Sequence, residues 1–210
     1  MKTALLLSGG IESTILAYEY KPDIAITIDY GQASANSEIK ASKYICNKLN
    51  INHIILDVNI LKYFNKKIEE WIPYRNQYLL TLATMILAEY EISELLIGTI
   101  STDKIHPDGS IEFIESFNNL LQIEKPRIKV IAPLIMLTSD ELLEKTNIPL
   151  SLLSIAHSCT ESSFPCNKCK SCKKYYDFDL GFSLLIVNGA LTFFGLWLFR
   201  IRDKGAIKSA

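Results

Sequence analysis

With 210 residues, 49% of them hydrophobic, the chain has material for one globular core and a small appendage. A formal net charge of -1 excludes a broad polyanion-binding surface, so a nucleic acid would have to be held by shape or by a local patch such as Lys168 to Lys174. The apolar start is too short for a secretory signal and runs straight into Ser8-Gly9-Gly10.

Thr3 to Leu7 is a short apolar run suited to a buried strand, followed by a glycine turn and a helical pattern over Ile11 to Tyr20. Asp23 to Asp29 is β-branched and predicts a second strand, ended by Tyr30-Gly31-Gln32. A helix over Ser37 to Leu49 and a strand over His53 to Val58 follow. Gln77 to Tyr90 predicts an apolar helix, Leu95 to Ile100 a strand, Ile111 to Leu121 a helix, Lys129 to Leu134 a strand and Ser139 to Lys145 a short helix. Strands alternating with helices predict an α/β fold: a parallel five-stranded sheet with helices on both faces. Ligands of such folds bind beyond the carboxyl ends of the strands, which directs attention to Ser8–Ser13, Asp29–Gln32 and Thr99–Asp108.

Ser8-Gly9-Gly10-Ile11-Glu12-Ser13-Thr14 joins the first strand to the first helix. Two glycines let the backbone approach an anion, and the helix start turns N–H groups and partial positive charge toward it. The lysine of the Gly-x-x-x-x-Gly-Lys-Ser/Thr loop is missing, so this is a different phosphate turn or an ordinary turn with serine caps.

The heptapeptide resembles the PP-loop signature Ser-Gly-Gly-x-Asp-Ser-Thr, with Glu12 in place of Asp. Further pieces resemble, in order, the 7-cyano-7-deazaguanine synthases of the queuosine pathway: Asp29-Tyr30-Gly31-Gln32, Pro73-Tyr74-Arg75-Asn76 against Pro-Gly-Arg-Asn, Gly98, Asp103, Pro107-Asp108, Glu112-Phe113, Ala132-Pro133-Leu134, Ser158-Cys159 and the closing cysteines. The resemblance implies a PP-loop fold, akin to the adenine-nucleotide alpha hydrolases, and an ATP-dependent carbon–nitrogen ligase. Such an enzyme adenylates the carboxylate of 7-carboxy-7-deazaguanine, admits ammonia and ends at the nitrile. Activation is needed because a carboxylate is a poor electrophile, whereas AMP is a good leaving group.

Carried over residue by residue, Ser8, Gly9, Gly10, Ser13 and Thr14 would hold the phosphates of ATP, and Tyr30 and Gln32 would lie near adenine or ribose. Glu12, Arg75 and Asp108 would be catalytic, with Mg2+ as the metal on ATP. Arg75, Asn76, Asp103 and Asp108 would bind the deazapurine. Read without the family, Arg75 is a surface ion-pair former, and Asp103 and Asp108 are turn residues. The implied partners are a small deazapurine acid and ammonia, in a cytoplasmic homodimer.

Cys159-x6-Cys166-x2-Cys169-x2-Cys172 offers four thiolates in one short stretch, flanked by Lys168, Lys170, Lys173 and Lys174. That spacing predicts a closed structural Zn2+ knuckle, with an iron–sulfur cluster as the sharper rival. His157 reads as a loop residue beside it, and Cys46 as a small buried residue. The expected organisation is an ATP-binding domain over 1–150, a zinc segment over 151–176 and an apolar tail over 177–210. Leu180 to Phe199 carries no charge and matches a bilayer span in length, giving a membrane contact through 180–199 or a docked apolar helix. Arg200 and Arg202 beyond it oppose a simple anchor, and a fused or frameshifted reading frame is a third explanation.

Several positions depart from the family pattern. Ala33-Ser34 stand where it has Arg-His, Tyr74 stands where it has Gly, and the stretch between Asp57 and Pro73 is short. These departures open a second reading, in which the same activation joins a deazaguanine to a protein or other amine in anti-phage defence. A third is a zinc-stapled nucleotide-binding module without turnover. A tRNA thiolase would need a catalytic cysteine, for which Cys46 is poorly placed.

Overall fold

The computed structural model describes residues 2–64, 72–123, 128–169 and 171–173. Two compact units, Met1–Cys166 and Asn167–Ala210, divide the chain.

The first unit is built on five strands: β1 (Lys2–Leu6), β2 (Ile24–Asp29), β3 (Asn52–Asp57), β4 (Ile92–Leu96) and β5 (Lys129–Ile131). All pair in parallel, in the order β3-β2-β1-β4-β5. Parallel strands covered on both faces need apolar residues on both sides, and β2 shows it: Ile24 to Ile28 is buried throughout. The helices are α1 (Ile11–Tyr20), α2 (Ala35–Leu49), α3 (Arg75–Leu87), α4 (Ile111–Leu121), α5 (Ser139–Lys145) and α6 (Leu150–Leu153).

The core lies in two layers. On one face Ile15 and Leu16 of α1, Ala41 and Ile45 of α2, Leu142 of α5 and Leu152 of α6 pack on Leu5, Leu7 and Leu96. On the other, Leu80, Ala83 and Leu87 of α3 and Ile114 and Phe117 of α4 pack on Ala4, Ile26, Leu95 and Val130. Each Leu or Ile removed from water stabilises the fold by about 2 kcal/mol. The edge strand β5 is not left bare: Asn118 of α4 accepts from Val130 N at 2.7 Å and donates to its carbonyl at 2.9 Å.

Most strand boundaries and some helix boundaries differ from the sequence reading by one to four residues, and three of the differences have a visible cause. The fourth strand ends at Leu96 rather than Ile100, because from Gly98 the chain runs against the start of α1. The fifth stops at Ile131, ahead of Pro133, which has no N–H to donate. The third helix begins at Arg75, two residues early, after Tyr74 in the left-handed region at φ 62°. The tail reading over 180–199 lies outside the described residues, among which no helix is long and apolar enough to cross a membrane.

In the second unit, Asn167 is left-handed at φ 57°, Cys172 N donates to Cys169 Sγ at 3.3 Å and Lys173 N donates to Cys169 O at 3.0 Å.

One titratable group is built into the sheet. Thr27 Oγ1 donates its proton to Leu7 O at 2.7 Å, so at 2.8 Å it can only accept from His53 Nε2. Burial, helped by the charge of Lys43, lowers the His53 pKa from 6.5. The folded state therefore favours neutral His53. Its stabilisation is complete above pH 6.5 and is lost as pH falls, when the unfolded chain takes a proton that the folded one refuses. The melting temperature is expected to fall between about pH 7 and about pH 5, and His53→Gln to flatten that decline. Parallel profiles for the two proteins in differential scanning fluorimetry would contradict this.

Candidate active site

The chain order reverses between β1 and β4, so the crevice at their carboxyl ends is the switch point of the sheet. The turn after β1 and the loop after β4 meet there. Gly98 lies so close to α1 that a Cβ on it would stand 3.0 Å from Ser13 N and 3.3 Å from Glu12 Cβ.

Gly9 holds the turn. Its φ is +75°, and a Cβ would strike Glu38 O at 2.8 Å and Ala41 Cβ at 3.0 Å. Gly10 is the N-cap of α1 and has no side-chain cap, so the helix start presents its amides to the crevice. Its carbonyl accepts from Thr14 N (2.9 Å), Thr14 Oγ1 (2.6 Å) and Ser13 Oγ (3.1 Å). Thr14 and Ser13 are buried, so their hydroxyls close the first turn from within, whereas Ser8 is exposed at the mouth with its Oγ 3.2 Å from Ser13 Oγ. From behind, His157 N donates to Gly9 O at 2.7 Å. The His157 ring binds Ser162 O at 3.0 Å, which makes it a brace for this segment.

The loop after β2 forms the next wall. Asp29 Oδ1 accepts from Gly31 N at 2.9 Å, and Gly31, at φ +100°, packs against Asn59 too closely for any side chain. Gln32 turns inward: Oε1 accepts from Tyr30 N at 3.0 Å, and Nε2 donates to Glu38 Oε2 at 2.8 Å and Ile28 O at 3.3 Å. Burial pushes the Tyr30 hydroxyl up, and Arg75, which bonds it, pulls it back. Burial likewise raises Glu38, against hydrogen bonds from Ser34 and Gln32 and the charges of His157 and Arg75. Sequence reasoning missed Glu38, and read Ser34 only as a departure from the family pattern and His157 only as a loop residue; the Ser34-x-x-x-Glu38 helical spacing was an available signal for Glu38.

Asn76 and Asp108 come together. Asp108 Oδ2 accepts from Asn76 N at 3.2 Å, and Asp108 O accepts from Asn76 Nδ2 at 2.8 Å. Arg75 Nε donates to Asn76 Oδ1 at 3.3 Å. Asp108 is only 7% exposed, and its Oδ1 has no hydrogen-bond partner among the described residues. A buried carboxylate oxygen in that state is a costly vacancy for a donor. Asp103 differs: its Oδ2 accepts from Ile100 N at 3.1 Å, closing its own turn.

Near the carboxyl-terminal limit of the first unit, burial raises the Cys159 thiol, but backbone N–H groups of Glu161 and Cys166, and then Ser162, outweigh it and lower it to about 6. Cys159, Cys166, Cys169 and Cys172 make a group of thiols that could hold a metal ion. Cys46 is buried in α2, its thiol pushed up to about 12 by burial, which suits core packing and not nucleophilic chemistry.

A parallel sheet whose switch point carries a glycine turn leading into a helix is the arrangement of a PP-loop-like α/β fold. The chain belongs to the family of the queuosine biosynthesis protein QueC, whose family model matches residues 2–68 and 65–177. It is 30% identical over 217 residues to the 7-cyano-7-deazaguanine synthase of Methanocaldococcus jannaschii, covering 83% of this chain and 92% of the relative. It is 32% identical over 185 residues to 7-cyano-7-deazaguanine synthase 1 of Sulfurisphaera tokodaii, with 83% and 90% covered. Among solved structures, the U34-tRNA thiolase NcsA from Methanococcus maripaludis with its [4Fe-4S] cluster has a TM-score of 0.52 at 21% identity. That likeness covers 86% of this chain and 65% of the thiolase, and it shows a shared fold. The chain is thus an ATP-dependent ligase of the 7-cyano-7-deazaguanine synthase type.

The contact between Gly98 and α1 makes a prediction. Gly98→Ala is expected to move the first turn by a few tenths of an ångström, weakening MgATP binding about tenfold while costing at most about 1.5 kcal/mol of stability. Nucleotide titration and thermal melting measure the two quantities, and unchanged affinity would contradict the role given to this contact.

Proposed function

We propose that this chain converts 7-carboxy-7-deazaguanine and ammonia to 7-cyano-7-deazaguanine, at the expense of ATP. The observation that carries the reading is the uncapped turn at the switch point, in a chain this similar to synthases of that name. The carboxylate attacks the α-phosphorus of ATP and pyrophosphate leaves. Ammonia attacks the acyl adenylate, AMP leaves, and an amide forms. A second adenylation, now on the amide oxygen, lets AMP depart again as the nitrogen loses its protons and becomes the nitrile.

Ser8, Gly9, Gly10 and the first amides of α1 would hold the phosphates, with Ser13 and Thr14 shaping the turn. Glu12 would help bind Mg2+ on the nucleotide. Tyr30, on the loop that Gln32 secures, would border the adenosine, and Arg75 would meet the negative charge of the acid or phosphates. Asp108 Oδ1 and Asn76 suit the N–H-rich edge of a deazaguanine, because a buried acceptor lacking a donor gains most from one. Asp103 would act indirectly, by shaping the loop that presents Asp108. The reaction suits the cytoplasm, where ATP is abundant and thiols stay reduced.

The four cysteines suit zinc. Four thiolates with two Cys-x-x-Cys spacings within fourteen residues, beside four lysines, match the closed tetrahedral sites that structural zinc favours. Zinc would supply structure here, with no open position for chemistry.

Two experiments test this. Given ATP, Mg2+, 7-carboxy-7-deazaguanine and ammonia, the purified protein is expected to release pyrophosphate and form the nitrile by mass spectrometry. Asp108→Asn is expected to lower kcat/KM for the acid by about 10- to 100-fold without weakening ATP binding. No pyrophosphate would overturn the reading. Adenylate without amide or nitrile would point to another amine, such as a protein, as acceptor; the altered Ala33-Ser34 wall is what favours that alternative. For the metal, elemental analysis is expected to find one zinc per chain, and Cys169→Ser to lower the melting temperature by roughly 5 °C or more. Iron in place of zinc, or unchanged melting, would refute the zinc knuckle.

A further inference from the structure

Glu38 has no part in the reaction as drawn, yet it touches two walls of the nucleotide site. Its backbone carbonyl is what a Cβ on Gly9 would strike at 2.8 Å, so the first turn of α2 rests on the phosphate turn. Its side chain accepts from Gln32 Nε2 at 2.8 Å and from Ser34 Oγ at 2.6 Å. Gln32 in turn accepts from Tyr30 N at 3.0 Å, and the Tyr30 hydroxyl meets Arg75 at the head of α3. A line of contacts thus runs from Glu38 through Gln32 and Tyr30 to Arg75. It crosses the mouth of β2 from the phosphate turn to the helix that carries Asn76.

We propose that Glu38 is a positioning residue of the ATP site, which holds the Tyr30–Gln32 loop at a fixed distance from the phosphate turn through Gln32 and Ser34. The inference rests on the ATP-ligase reading and adds a residue to it. Gln32 alone cannot do this. Its amide is fully turned inward, and without an acceptor at Glu38 its Nε2 keeps only the 3.3 Å contact to Ile28 O. Ser34 matters because its hydroxyl reaches the second carboxylate oxygen, so both oxygens are bound and the side chain has one available pose. Hydrogen bonds to a charged acceptor are stronger than neutral ones, which is why a carboxylate suits this position better than an amide.

The test compares wild type with Glu38→Ala, Glu38→Gln and Ser34→Ala in the full chain, by direct MgATP titration, steady-state kinetics and thermal melting. Glu38→Ala is expected to raise both the Kd and the KM for ATP about tenfold, with a smaller change in kcat. Glu38→Gln keeps an oxygen for Gln32 and offers Ser34 an amide, and is expected to recover affinity to within about threefold of wild type. Ser34→Ala should fall between. A residue that merely staples α2 would lower the melting temperature and leave the ATP affinity of the folded protein unchanged, and that result would overturn the proposal. If Glu38→Ala does not fold, Ser34→Ala decides: unchanged ATP affinity in that variant overturns it. A wild type that binds no MgATP would defeat the ligase reading and this inference with it, whereas a binding wild type with unaltered variants defeats the inference alone.

Discussion

The close approach of α2 to Gly9 is the contact on which the rest of the site depends. A backbone carbonyl 2.8 Å from where a Cβ would be leaves room for hydrogen only, and the left-handed φ at that residue independently favours glycine. Because α2 can come this near, the segment that leads into it is drawn across the carboxyl end of β2. Because Gly9 O accepts from His157 N, the chain returning after α6 is tied to the same turn. Three segments far apart in sequence therefore converge on one glycine. The turn is thus held from two sides, by α2 and by the backbone of His157.

The two faces of the sheet divide the work. The helices on the Leu5 and Leu7 side position the phosphate turn, with Ser13 and Thr14 buried as part of the packing. The helices on the Ala4 and Ile26 side carry Arg75 and Asn76. The loop after β4 joins them: Gly98 presses on the start of α1, and ten residues later Asp108 caps the start of α3. A shift in that loop would be felt by both α1 and α3.

The departures from the family pattern acquire local explanations. Ser34 is a partner of Glu38, so a polar contact exists on that wall although the Arg-His pair is absent. Tyr74 occupies a left-handed position that glycine adopts without strain, and does so with its side chain largely in solvent, where bulk is tolerated. Glu12 keeps its carboxylate in the first turn of α1, near Gly10, while its backbone and Cβ lie against Gly98.

Much of this protein was legible in one dimension. Continuous apolar runs such as Ile24 to Ile28 announce strands buried on both faces, and their alternation with helices leaves a parallel sheet as the economical solution. Ser8-Gly9-Gly10 announces a tight turn into a helix, and four closely spaced cysteines announce a group that could hold a metal ion, because glycine and thiol carry their chemistry wherever they stand. What only the tertiary structure decided is which polar groups face a ligand and which face the protein. Thr14, Ser13, Gln32 and Asp103 look like ligand donors or acceptors in sequence, yet their side chains are committed to backbone and neighbours. Asp108 Oδ1 is left open, and Glu38, ordinary in sequence, is engaged on both oxygens. The reason is that a hydrogen-bond partner is set by distance and direction in space: most of these partners stand only two to six residues away, but which way each side chain turns depends on how the elements around it pack, as α2 packs on Gly9.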